Sequence, residues 1–233
     1  MNRWLIPALL LSLAACSRQS ELTDPIARGE RDFSGIGCVK CHVIGEQGHP
    51  WGPDLTMLGF RKSEAWIDAW LKDPHAWNPK TVMPNFNLND KTRADLVAYL
   101  SAQKGQAWKV KPWETAEAAA LPAAERGKII FNAVGCVSCH AKDGYGGYPN
   151  NNVPGGLVNS LTKVTEGYSK GELHQKIKGG VIPIPNDASK PAPMLQMPKW
   201  SETLSDKEID AVVEYLYTLS PKVPGAKPSA DDF

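Results

Sequence analysis

The pentapeptide CVKCH at residues 38–42 returns as CVSCH at residues 136–140. Its upstream flank returns with it: ARGERDFSGIGCVKCH (27–42) is answered by ERGKIIFNAVGCVSCH (125–140). Arg28, Gly29, Phe33 and Gly37 match Arg126, Gly127, Phe131 and Gly135 at one fixed offset. A second block follows each motif. MPNFNLNDKTRADLVAYL (83–100) is answered by MPKWSETLSDKEIDAVVEYL (197–216), with two extra residues after the methionine. Repetition at this period makes the chain two copies of one unit near the common domain size.

C-x-x-C-H is the attachment signature of a c-type haem. Cysteines three apart on a helical turn lie on one face, so two thiols can meet one edge of a porphyrin. The adjacent imidazole, His42 or His140, can then bind the iron. A disulfide or a redox dithiol needs C-x-x-C but no histidine, and zinc takes Cys₂His₂ or Cys₄. Two copies, each with its histidine and each followed by Met-Pro, favour haem. The iron needs a sixth ligand, and a methionine thioether raises its potential relative to a second histidine. Met83 and Met197 fill that place in the two halves, each stiffened by the following proline. Met57 in TMLG competes in the first half and reads as a core position. Met194 competes in the second, and Met197 is preferred because it is the repeat equivalent. His49, His75 and His174 read as surface or loop residues, with His75 the best spare ligand.

The periodicity predicts an all-α protein with essentially no sheet. Apolar residues at helical spacing mark 27–36 and 125–134. Trp66, Ile67, Trp70 and Leu71 share one face of a helix opened by Ser63 and stopped by Pro74. Ser169 to Glu172 and Ser205 to Glu208 are capping boxes. The last helix of each half ends near Leu100 and Leu216.

These residues resemble the class I cytochromes c, as a tandem dihaem member, over nearly all of 27–220. The resemblance implies two domains, each a few short helices wrapped around one covalently bound haem c. It implies crossing terminal helices, with Gly29 and Phe33 against Tyr99, and Gly127 and Phe131 against Tyr215. It also implies that the carbonyl of Pro53, in GPDL (52–55), accepts the second ring N–H of His42. In the second half Pro154 is the nearest equivalent and Pro149 another. The expected ligand sets are thus Cys38, Cys41, His42, Met83 and Pro53, then Cys136, Cys139, His140 and Met197. With both axial positions filled, the expected role is electron transfer between redox partners and not catalysis. A cytochrome subunit of a larger membrane oxidoreductase is the alternative, and a dihaem peroxidase a more distant one.

Residues 27–102 form the first domain, 103–124 a connector and 125–220 the second domain. The connector carries Trp108 and Trp113, so it is expected to pack along one domain. The inserts KDGYGGYPNNNVPGG (142–156) and IPIPNDASKPAP (182–193) lack counterparts in the first half and are expected to loop over a haem edge. The chain holds 26 lysines and arginines against 25 aspartates and glutamates, net charge +1, which gives no reason to expect nucleic acid. Each domain is balanced: nine basic against nine acidic residues in the first and ten against ten in the second.

Five cysteines leave one over once four carry haem. Arg3, the apolar run Trp4–Leu13 and the small residues Ala14 and Ala15 read as a secretory signal over 1–15. LAAC (13–16) resembles a bacterial lipobox, which would put a lipid on Cys16. Residues 16–26 then form a tether, and the polar, proline-rich 221–233 a flexible tail. The expected place is the bacterial cell envelope, lipid-anchored and facing the periplasm or exterior.

Overall fold

The structure, a computed structural model, describes residues 23–219. The signal, Cys16 and the tail lie outside them. The described chain is helical, as the periodicity predicts, and is built from two units of like design.

In each unit the first and last helices cross. Pro25–Ile36 packs on Asp90–Ser101, and Ala123–Ala133 packs on Asp206–Leu216. Local chemistry sets their ends. Asp24 caps the first helix through the Ile26 N–H, Pro25 opens it, and Gly37, at φ 94°, closes it by donating back to Phe33 and Ser34. Asn89 caps its partner through the Thr92 N–H. Both predicted capping boxes form, at Ser169 with Glu172 and at Ser205 with Glu208. The crossings depend on glycine. A Cβ on Gly29 would lie 2.1 Å from the Asp95 carbonyl oxygen, and one on Gly127 would lie 1.8 Å from that of Ala211. Phe33 meets Tyr99 at 5.6 Å between ring centres, and Phe131 meets Tyr215 at 5.3 Å.

Ser63 caps the Glu64–Lys72 helix through the Trp66 N–H. Pro74 ends it, but also opens a further turn, Pro74–Trp77, because Asp73 caps the N–H groups of His75 and Ala76. One small departure from an all-helical chain follows the first motif: Val43–Ile44 pairs antiparallel with Gln47–Gly48. Gly45, at positive φ, opens the two-residue turn Gly45-Glu46 that joins them.

The two cores exchange residues. Phe33, Leu58, Trp66, Ile67, Leu96 and Leu100 form the first core, together with Leu195 from the second half. Ile130, Phe131, Leu173, Trp200, Ile209 and Val212 form the second, together with Met57 from the first half. Phe60 also lies 5.2 Å from Trp200. The connector touches both halves, not one as expected. Gly105 donates to the Thr56 carbonyl at 2.8 Å, while the Trp113 indole donates to Glu208. Two tryptophans cause the difference: Trp108 packs edge-on against Trp113 at 5.3 Å and both join the second core.

The inserts lock onto each other. Asn150 exchanges two hydrogen bonds with the Leu195 backbone, both at 3.1 Å. Asn151 holds the Ala192 carbonyl and the Met194 N–H. Asn152 holds Asp187 and the Pro191 carbonyl. Three consecutive asparagines thereby fix the segment that carries Leu195 into the first core.

Candidate haem sites

The first site begins where Gly37 ends its helix. Cys38–Lys40 forms a 3₁₀ turn, and the N–H groups of Cys41 and His42 both return to the Cys38 carbonyl, at 3.1 and 3.0 Å. This places both thiols and the imidazole on one tight loop. Burial pushes the Cys38 thiol up to about 11, so it is a neutral thiol at pH 7. The His42 Nδ1–H donates to the Pro53 carbonyl at 2.8 Å, the contact the resemblance implies. That bond leaves Nε2 as the nitrogen free to bind a metal. Gly52 is required beside it, since a Cβ there would lie 2.7 Å from the ring. The loop is braced by Thr56, whose N–H donates to Asp54 and whose hydroxyl accepts from Gly45.

Met83 is half-buried against the first core. Its sulfur accepts from the Trp70 indole N–H at 3.0 Å. Trp70 stacks on Trp66, which meets Trp77 edge-on, so three tryptophans wall this region.

The second site repeats the turn. The N–H groups of Cys139 and His140 return to the Cys136 carbonyl, at 3.1 and 3.0 Å. This site is drier. Burial pushes the Cys136 thiol up to about 12 and holds the His140 imidazole down at about 4. The His140 Nδ1 is buried without a hydrogen-bond partner of good geometry, and the Asn159 backbone is the polar group that favours its protonated form. Pro154 does not fill the Pro53 role. It is exposed, in a turn within the insert. The insert folds out as its own pairing, with Pro149 bridged to Leu157, so the counterpart loop starts only after it. Pro53-Asp54-Leu55-Thr56 corresponds to Asn159-Ser160-Leu161-Thr162. The turn is the same: the Thr162 N–H donates to Ser160 at 3.2 Å, as Thr56 does to Asp54. The shared Leu-Thr pair was the sequence signal for this match.

Met197 packs against the second core, and its backbone pairs with Val181 in both directions, at 2.9 and 3.0 Å. Gly180 makes room, since a Cβ there would lie 2.6 Å from the Met197 carbonyl oxygen. Met194 instead lies with the first core, beside Leu195. Met57 is fully buried, as its sequence context predicts. His49 and His75 are exposed. His174 sits on the Lys170–Gly179 helix, paired with Asp210 at 2.7 Å.

All four described cysteines are free thiols. Each pair lies one turn apart beside an imidazole that is fixed or buried, and each half holds a thioether against its own core. This donor set fits a haem c group in each half.

One feature was not legible in sequence. Arg61 and Lys62, from the first half, reach the second site. The Arg61 guanidinium donates to the Gly135 carbonyl at 3.2 Å and to the Asp54 carbonyl at 3.0 Å. The Lys62 ammonium lies 3.2 Å from the Cys139 sulfur, over the rings of Trp66 and Tyr148.

Among known proteins, the chain is similar to CcoP of Helicobacter pylori, part of a cbb3-type cytochrome c oxidase, with 25% identity over 205 residues, 87% of this chain and 60% of that protein. A nitric oxide reductase subunit of Stutzerimonas stutzeri is 26% identical over 90 residues, 36% of this chain and 62% of that protein. Cytochrome c2 of Rhodomicrobium vannielii is 33% identical over 78 residues, 31% of this chain and 62% of that protein. The chain thus spans less than two thirds of the length of these relatives. No solved structure matches. The profile of the cytochrome c family matches twice, over residues 26–104 and 124–220. With two crossed-helix units, each carrying its own C-x-x-C-H turn, the chain belongs to the cytochrome c family, as two such domains in tandem.

Proposed function

We propose that this protein is a dihaem c-type cytochrome that passes electrons between respiratory redox partners at a membrane surface. Cys38 and Cys41 would attach one haem and Cys136 and Cys139 the other. His42 with Met83, and His140 with Met197, would hold the irons. A haem c group supplies the one-electron chemistry. The chain's own part would be to orient the imidazoles, shield the haems from water and supply each iron with a histidine and a methionine. The observation that carries this reading is the His42–Pro53 bond, which presents a single ring nitrogen for coordination. A spectroscopic redox titration tests it. Two covalent haems, each with a methionine–iron charge-transfer band, are expected. Rapid stoichiometric binding of cyanide or carbon monoxide at one haem would instead point to an enzyme.

Membership of a larger membrane complex is the second reading, favoured by the similarity to oxidase and reductase subunits. No described helix is long and apolar enough to cross a membrane. In either reading Cys16 is the lipid anchor, in an envelope protein facing the periplasm or exterior. Acyl chains there would bind at about 0.8 kcal/mol per buried CH₂. Cys16→Ser should release haem-loaded protein from membranes. Retention of the variant on membranes with partner proteins, after mild detergent, would favour the larger complex.

A further inference from the structure

Leu195 and Met197 stand two residues apart and belong to different interiors. Leu195 is 4% exposed and lies in the first core, with Met194 against the same core, while Met197 packs against the second. The segment is pinned at both places. The Asn150 carboxamide holds the N–H and the carbonyl of Leu195, and the Val181 backbone holds those of Met197. Asn151 adds the Met194 N–H at 2.7 Å. Moving this backbone would strand buried polar groups at Leu195, and buried polar groups are costly to leave unpaired.

The first half holds its methionine differently. Thr81 and Val82 stand in the places of Leu195 and Gln196, and Val82 is 95% exposed. Met83 is kept by local bonds. Its N–H donates to the Thr81 hydroxyl at 3.2 Å, and the Thr81 N–H donates to the Asn78 carbonyl at 3.0 Å. The Trp70 indole adds a donor at the sulfur. Counted from the capping serines Ser63 and Ser169, Lys176 replaces Trp70, and its ammonium lies over the Tyr168 ring at 5.1 Å. The second half has exchanged a donor on the sulfur for a backbone clamp 45 residues away and a leucine in the other domain's core.

We infer that Asn150 and Leu195 are positioning residues for Met197: by fixing its segment to the first core, they keep the thioether on the second iron. The inference rests on the dihaem reading above. Met197 can then leave its iron only by a movement that also disturbs the domain junction, whereas Met83 depends on its own loop. The second haem stays closed to small ligands because the two domains are docked.

The test is cyanide binding to the oxidised full-length holoprotein, followed through loss of the methionine–iron charge-transfer band. Met197→His identifies the phase that belongs to the second haem. Cyanide enters only where the thioether has left, so Asn150→Ala and Leu195→Ala should speed that phase about tenfold and the other phase less. Leu195→Met refills the site in the first core and should restore most of the unmodified rate. Leu96→Ala is the control. It empties the same core from the Asp90–Ser101 helix and should leave the second phase unchanged. Should Asn150→Ala fail to accumulate, Leu195→Ala keeps both backbone bonds and carries the test. An unmoved second phase, equal movement of both phases, or equal acceleration in Leu96→Ala overturns the inference. Failure of the dihaem reading looks different: fewer than two covalent haems, or no methionine–iron band, in the unmodified protein.

Discussion

The Trp70 indole N–H lies 3.0 Å from the Met83 sulfur. A thioether that accepts a hydrogen bond has less electron density to give a ligated metal. In the proposed first haem this would favour iron(II). Trp70→Phe keeps the stacking surface against Trp66 and removes the donor. It should lower the first haem's potential and leave the second unchanged, as read by redox titration. A shift confined to the second haem would show that Met83 is not the ligand.

The helix crossing at Gly127 has no room for a methyl group. Gly127→Ala should destabilise the fold by about 3 kcal/mol or more, because the contact is with rigid backbone. Gly171, on the exposed turn of the Lys170–Gly179 helix, has open space around it. Gly171→Ala should raise stability by about 0.5 kcal/mol. Urea midpoints of the two variants, measured side by side, check both signs.

Arg28 grips Asp95 in a bidentate pair, at 2.6 and 2.8 Å, where the first domain's helices cross. The guanidinium holds the Asp95 carboxyl down at about 2, against an ordinary 3.8. The depressed value means that the stabilisation is complete above the ordinary carboxylate range and is lost as pH falls through about 2. Stability should therefore drop between about pH 4 and 2. Asp95→Asn should be less stable at pH 7 and flatter across that window. Chemical denaturation at a series of pH values, followed through the first domain's tryptophans, reads this out.

Asn150 is buried and satisfies both backbone groups of Leu195. Asn150→Ala would strand two buried polar groups, at a cost of about 2 kcal/mol. The loss should appear in both domains at once, since Leu195 belongs to the first core and Asn150 to the second half's insert. Hydrogen exchange resolves it: amides of both crossings should exchange faster, whereas a purely local loop effect would spare the first domain.

Most of the fold could be read from the repeated motif and from helix punctuation. Ser63, Ser169 and Ser205 cap the helices they were expected to cap, because a capping bond is local. Gly29 and Gly127 were legible through the repeat. What escaped was decided by the relation between the domains. The Asn159 counterpart of Pro53 was masked by an insert that changed its distance from His140. The inserts were legible as loops; that the run Asn150-Asn151-Asn152 would bind backbone 35 to 45 residues further on was not. Arg61 and Lys62 looked like ordinary basic residues in a balanced chain. Both are buried where the first half meets the second.

The exchange of Leu195 and Met57 between the cores bears on how this duplication can evolve. Two linked copies can usually be shuffled, lost or replaced one at a time. Here each copy has surrendered a part of its interior to the other, so cutting the chain in the connector would leave a hole in each core and bare one apolar side chain, Met57 or Leu195, on each half. The ancestral unit has ceased to be a module, and recombination can now pass this protein on only as a pair.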